Sequence, residues 1–236
     1  TIDQRVPADL RMVIERPDLY DIECNGRPVK PTPAAWWLDR SFGIVDLRGA
    51  AKVGQNVVTC KASPFTVWHE IEPAYLLGDF SVQPAERGFA VAPAQALKLG
   101  PWNVQGCPFY GSKVTYTERF ELPTPEGRYV VSLPGWYGSV AKVTVNGRSA
   151  GYIQSQPWEC EVTRHVTGGV NVIQVTVFGT LKNTLGPHHG NPPAGLAWPH
   201  GFVSAPETGP PAGLQYSTFQ YGLFEPFVLH CKTPAP

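Results

Sequence analysis

Charge is what this chain has least of. Only 16% of its 236 residues are Asp, Glu, Lys or Arg, and 19 basic residues are matched by 19 acidic ones. No basic surplus is present to neutralise phosphates, so nucleic acid is not an expected partner. No apolar run approaches the roughly 20 residues that a membrane span needs, so no membrane partner is expected either. Helical periodicity is equally scarce: PAQALKLG at 93–100 is the one short candidate. Methionine occurs once, at Met12, and the opening TIDQRVPADL is not a signal peptide. The sequence therefore reads as a fragment or processed product of something longer. Its five cysteines (Cys24, Cys60, Cys107, Cys160, Cys231) are scattered and lack CxxC spacing, which gives neither a disulfide framework nor a zinc site. Small buried hydrophobes are the better reading for most of them, with a Cys24–Cys60 pair left open. No GxSxG elbow and no phosphate loop occurs.

What the chain does have is turns and strands. Its 25 prolines and 24 glycines are spread between apolar runs, which signals many reversals. Between them lie strand-like segments: LRMVIE (10–15), LYDIEC (19–24), NVVTCKA (56–62), KVTYTERFEL (113–122), RYVVSL (128–133), AKVTVN (141–146), NVIQVTVFG (171–179) and PFVLHC (226–231). In KVTYTERFEL only Glu118 interrupts an apolar face made by Val114, Tyr116, Phe120 and Leu122. Short alternating strands between Gly/Pro turns predict antiparallel β-sandwiches.

An internal repeat sets the organisation. LYDIECNGRPV (19–29) and VAKVTVNGRSA (140–150) each end a strand in Asn-Gly-Arg, the signature of a type I′ hairpin turn. Downstream, VGQNVVTCKA (53–62) and GGVNVIQVTV (168–177) each place Gly-x-Asn before an apolar strand. Between these lie WWLDRSFGIVDL (36–47) and PWECEVTRHV (157–166), each led by tryptophan. The same order occurs twice, so two β-sandwich modules are expected, at 1–90 and 91–236, joined somewhere within 82–102.

These residues resemble a known family. The unit of Asn-Gly, Trp, Asp and Gly-x-Asn before an apolar strand resembles the galactose-binding-like jelly roll, the sugar-binding domain type of family 2 glycoside hydrolases. More narrowly, EPAYLLGDFSV (72–82), QGCPFYGSKVTYTERFEL (105–122), GTLKNTLGPHHG (179–190) and YGLFEPFVL (221–229) resemble the C-terminal β-sandwich region of large bacterial glycoside hydrolases of the family 106 α-L-rhamnosidase-like type. Those proteins carry their catalytic barrel upstream. The resemblance implies two tandem antiparallel jelly-roll β-sandwiches, all-β, with an ancillary role and no catalytic residue to carry over.

Candidate site residues follow from chemistry. Sugars present flat C–H faces to aromatic rings and hydroxyls to planar polar groups. Trp136 and Tyr137 in PGWYGS, Trp198 beside His200 in LAWPHG, and Trp36-Trp37 are the aromatic candidates, while Trp68 and Trp158 are expected in the core. His188 and His189 open a long Pro-braced loop; one ring is expected to hold loop backbone, with sugar contact by the other. Metal binding would need more ligands than this stretch supplies. A structural calcium is allowed by Asp39, Asp46 and Asp79 but marked by no Asp-rich loop, so the metal site stays unknown and no cofactor is certain. Glycosidase chemistry needs two carboxylates about 5–10 Å apart; Glu70/Glu72 and Glu159/Glu161 lie in alternating patterns and read as solvated faces.

The expected function is thus a non-catalytic carbohydrate-binding or ancillary region of a larger bacterial glycoside hydrolase acting on plant or host polysaccharide, secreted or periplasmic. Its partners would be an oligo- or polysaccharide and the parent chain's catalytic domain. Two alternatives stand beside it: a pure scaffold packing on a catalytic barrel, and a small β-sandwich glycan hydrolase or lyase using His188/His189 with a tyrosine such as Tyr110.

Overall fold

The computed structural model describes residues 1–190 and 208–232. The chain divides into two compact units: Thr1–Gln95 with Pro210–Leu214, and Ala96–Gly209 with Gln215–Pro236. Both are all-β and antiparallel, as the alternation predicts.

In the first unit, β1 (Leu10–Glu15) lies at the centre of a four-stranded sheet with β4 (Pro31–Trp37), β5 (Asp39–Asp46) and β7 (Tyr75–Gly78), in the order β4-β5-β1-β7. A second sheet, β3-β2-β6, is built from β2 (Asp21–Cys24), β3 (Arg27–Val29) and β6 (Val58–Lys61). The hairpin of β8 (Phe80–Pro84) and β9 (Phe89–Pro93) completes it. Leu10, Met12, Ile14 and Val45 from one sheet meet Ile22 and Cys24 from the other in a single buried cluster. That is a sandwich, and its period of two is read directly off LRMVIE.

The second unit repeats the plan. Here β11 (Arg128–Ser132) sits between β15 (Glu159–Glu161) and β18 (Val228–Lys232). The facing sheet is β10-β16-β13-β14, made of β10 (Lys113–Leu122), β13 (Val140–Val145), β14 (Arg148–Ile153) and β16 (Gly169–Phe178). A two-stranded pair joins β12 (Trp136–Tyr137) to β17 (Gly222–Leu223). Tyr129, Val131 and Leu133 pack against Ala141, Val143, Val145, Ile173, Val175 and Val177, most of them wholly buried. Each Val, Leu or Ile among them contributes about 1.5–3 kcal/mol of burial. Glu118, where the sequence interrupts the apolar face of β10, is exposed on an edge strand.

The duplication holds atom by atom. Asn25 (φ 54°) and Gly26 (φ 75°) turn one hairpin, and Asn146 (φ 51°) and Gly147 (φ 78°) turn the other, as a type I′ turn requires. In the first unit Asn25 Nδ2 donates to Ala50 O and Asn56 Oδ1, and Asn25 Oδ1 accepts from Val57 N. In the second, Asn146 Nδ2 donates to His165 O and Asn171 Oδ1, and Asn146 Oδ1 accepts from Val172 N. Asn56 and Asn171 in turn each clasp their own Gly-x-Asn loop: Asn56 bonds Lys52 N, Lys52 O and Gly54 O, and Asn171 bonds Thr167 N, Thr167 O and Gly169 O. The ladders match as well. Leu47 N donates to Leu10 O, and Val162 N to Tyr129 O; Val13 pairs Ile44 and Tyr75, where Ser132 pairs Glu159 and Val228.

Several local expectations are corrected. PAQALKLG forms no helix; its first residue ends β9 and the rest is irregular. Trp68 and Trp158, expected in the core, are 69% and 36% exposed, and among the described residues the buried tryptophan is Trp102 at 1%. Trp102 is held by its Nε1–H to Tyr116 OH at 2.7 Å and lies against Tyr110 and Tyr221. All five cysteines are free thiols, and only Cys24 and Cys160 are buried.

Candidate functional site

The rim of the second unit gathers most of the sequence candidates that fall in described residues. Trp136 and Tyr137 are neighbours on β12 and make separate contacts, as adjacent strand positions do. Trp136 packs against the core cluster and meets Trp158 edge-on, centroids 5.4 Å apart. Tyr137, 42% exposed, stacks on buried Tyr221 at 5.8 Å with the planes only 7° apart. Tyr221 is itself pinned by Thr180 Oγ1 at 2.5 Å from its hydroxyl, and burial raises its pKa. The outer ring is therefore pre-positioned by a fixed inner one.

The Gly-Thr-Leu-Lys-Asn-Thr-Leu stretch after β16 makes one short helical turn, α1 (Lys182–Leu185). Four side-chain bonds hold it. Buried Asn183 exchanges bonds with Phe219, donating from Nδ2 to its carbonyl and accepting its N–H at Oδ1. Thr184 Oγ1 donates to Phe109 O, and His188 Nε2 lies 2.6 Å from Asn183 O. A carbonyl only accepts, so Nε2 carries the proton and the ring is the Nε2–H tautomer. Burial pushes His188 below the usual imidazole range, against the pull of the Asn183 carbonyl, and the charges of His189 and Lys182 push the same way. His188 is thus a neutral latch: Phe109 meets it edge-on at 5.0 Å, and its carbonyl accepts from Ser217 N. His189 faces Tyr216, centroids 5.3 Å apart. Trp198 and His200 lie outside the described residues.

Segment 216–221 links the two clusters, touching His188 and His189 through Tyr216 and Tyr137 through Tyr221. Sequence reasoning missed Phe109, Asn183, Tyr216 and Tyr221. The aromatic spacing of QYSTFQYG (215–222) was the available signal. Tyr110 donates its hydroxyl to Lys113 O and meets Trp102, not His188.

Glu159, Glu161 and Asp46 are each paired with a cation. Glu159 takes both oxygens to Lys232 Nζ (2.7 and 2.9 Å), and Glu161 bonds Arg128 Nε at 2.8 Å and Thr163 Oγ1. Arg128 first, through its hydrogen bond, lowers the Glu161 pKa, the opposite of what a general acid needs. Asp39 bonds Ser41, Asp46 bonds Arg48 and Asp79 accepts from Asp9 N. Among the described residues no three His, Cys, Asp or Glu converge as a metal site would.

The class defined by these features is a tandem of all-β sandwiches with an aromatic rim. No family model and no curated protein matches the chain. Among solved structures it is similar to a rhamnosidase from Novosphingobium sp. PP1Y, at 20% identity over 95% of this chain and 22% of that one, TM-score 0.40. It is also similar to a Bifidobacterium dentium β-glucuronidase complexed with coumarin-3-O-glucuronide (18% identity, 64% of this chain and 28% of that one, TM-score 0.37) and to a β-D-mannosidase from Dictyoglomus thermophilum (15%, 66% and 22%, TM-score 0.33). The chain thus spans 22%, 28% and 22% of these proteins. The likeness is distant, and no residue's role is carried over from it.

Proposed function

We propose that the chain is a non-catalytic, carbohydrate-binding region of a larger bacterial glycoside hydrolase, secreted or periplasmic, of the family 106 α-L-rhamnosidase-like type. The motifs YLLGDF, PFYGSKVTY and LKNTLGPHH support the family reading. The observation that carries the binding reading is Tyr137, an exposed ring laid parallel on Tyr221 at the rim of the second unit. A rigid, half-open aromatic face binds a sugar's C–H face with little ordering cost. A non-catalytic role is supported by Glu159 and Glu161, each neutralised by a cation, and by His188, whose proton-bearing nitrogen is spent on Asn183.

Affinity electrophoresis through soluble polysaccharides containing rhamnose, galactose or uronate tests this. Retention is expected for the wild type and is expected to weaken about tenfold in Tyr137→Ala, the loss of roughly 1.4 kcal/mol. Wild-type migration unaffected by every polysaccharide would refute it. A folded chain that ignores all glycans would favour the scaffold reading instead. That reading is supported by Phe65, Val67, Trp68 and Ile71, which stand 59–92% exposed on the first unit.

A further inference from the structure

The strands β5-β1-β7 match β15-β11-β18, while β4 has no counterpart, so the outer faces of the three shared strands can be compared position by position. In an antiparallel ladder, paired residues share a face. In the first unit Val13, Ile44 and Tyr75 therefore lie together, with Arg11 and Asp46 in the row on one side and Glu15 and Phe42 in the row on the other. Val13 and Ile44 are 0% and 7% exposed, yet neither belongs to the sandwich core. Two rings gather about Tyr75: Trp37 is 5.3 Å from it, and Phe42 meets it edge-on at 6.1 Å.

The second unit has the same ladder and a different surface. Ser132, Glu159 and Val228 stand where Val13, Ile44 and Tyr75 stand in the first. Ser132 Oγ pairs with His230 Nε2, Glu159 with Lys232 and Glu161 with Arg128. That face is laced with ion pairs around one buried residue, Val130, which stands where Arg11 stands in the first unit. The interiors have stayed alike while one outer face has become aromatic.

The aromatic face also has a polar end. Arg11 is fixed by both oxygens of Asp9 at 2.8 and 2.7 Å. Asp46 is engaged by the Arg48 guanidinium, which first through its hydrogen bonds holds the carboxyl down to about 2, so the group is ionised at any physiological pH. The Arg11–Asp46 row is two residues from the Val13–Tyr75 row, about 6.8 Å along the strand; Leu77 lies in it beside Tyr75, with Arg11 one strand and Asp46 two strands across.

We propose that this outer face of the first unit is a second carbohydrate site, in which a sugar ring lies against Trp37 and Tyr75 while its hydroxyls meet Asp46 and Arg11. The ligand class rests on the function proposed above; the location does not. The rim selects a saccharide over an apolar protein partner. Burying ionised Asp46 and Arg11 under hydrocarbon would cost several kcal/mol, whereas sugar hydroxyls replace water at both without stripping their hydrogen bonds.

The test is affinity electrophoresis of the whole chain in the same polysaccharide gels, with Trp37→Leu, Tyr75→Val and Asp46→Asn set beside Tyr137→Ala. Tyr75→Val installs the side chain that the second unit carries at the equivalent position. Each first-unit variant is expected to weaken retention by about tenfold, and Trp37→Leu combined with Tyr137→Ala to abolish it. Should Tyr75→Val unfold its unit by circular dichroism, Trp37→Leu and Asp46→Asn decide. Wild-type retention in the first-unit variants, with loss in Tyr137→Ala, overturns the second site and leaves the first. No retention of the wild type overturns both.

Discussion

Replacing Asn171 by alanine removes a carboxamide that is 0% exposed and makes four short hydrogen bonds. Each is worth about 0.5–1.5 kcal/mol net, and a buried partner left unmet costs more. Thr167 and Gly169 lie at the surface, so water recovers part of what their carbonyls lose. The expected cost is about 3 kcal/mol. Asn56 in the first unit makes the same four bonds but is only half-buried, so Asn56→Ala is expected to cost about half as much. Urea unfolding followed by fluorescence reads both, as a lowered midpoint at constant slope. By heat, the Asn171→Ala unit should melt roughly 10 °C lower. Asn171→Asp should be no milder, because it sets a carboxylate oxygen against the Thr167 and Gly169 carbonyls. An Asn171→Ala cost under about 1 kcal/mol, or one smaller than that of Asn56→Ala, would refute the claim that this clasp holds the sandwich closed.

Two further outcomes are expected. The folded His188 pKa is depressed below 6.5, so the native state binds fewer protons than the unfolded chain. Its contribution to stability is complete above 6.5 and is lost as pH falls from there toward the folded value. Melting temperature measured from pH 7.5 to 5 should therefore drop more steeply in the wild type than in His188→Gln, and equal slopes would count against the latch. With a thiol reagent on the native protein, Cys60 and Cys231 should react first, while Cys24 and Cys160 wait for unfolding; five fast thiols would contradict the burial.

Strands with a clean period of two were legible. KVTYTERFEL occupies β10 residue for residue, and both Asn-Gly pairs turn the hairpins they announce. The reason is that each is decided by its own few residues. PTPAAWW was not legible as β4, because prolines suit only an edge strand and this one lies at the sheet's edge. Tryptophan burial was misread for a different cause. Trp102 and Trp158 both sit in short irregular neighbourhoods, and which one enters the core depends on Tyr116 and Tyr221, far away in sequence. At the candidate site, Trp136 and Tyr137 were both legible as candidates, but which ring packs on the core and which stays open depends on Trp158 and Tyr221, distant in sequence. The histidine latch was half visible: a ring on loop backbone was expected, but its carbonyl partner and tautomer need coordinates.

The paired ladders of β1 and β11 separate two duties that a single strand usually mixes. Odd-numbered positions of β1 face away from the opposite sheet, and even-numbered ones pack against it. The outward rows of the siblings are thus free to diverge, Val13, Ile44 and Tyr75 in one and Ser132, Glu159 and Val228 in the other, while each sandwich keeps its own fastening pair of asparagines.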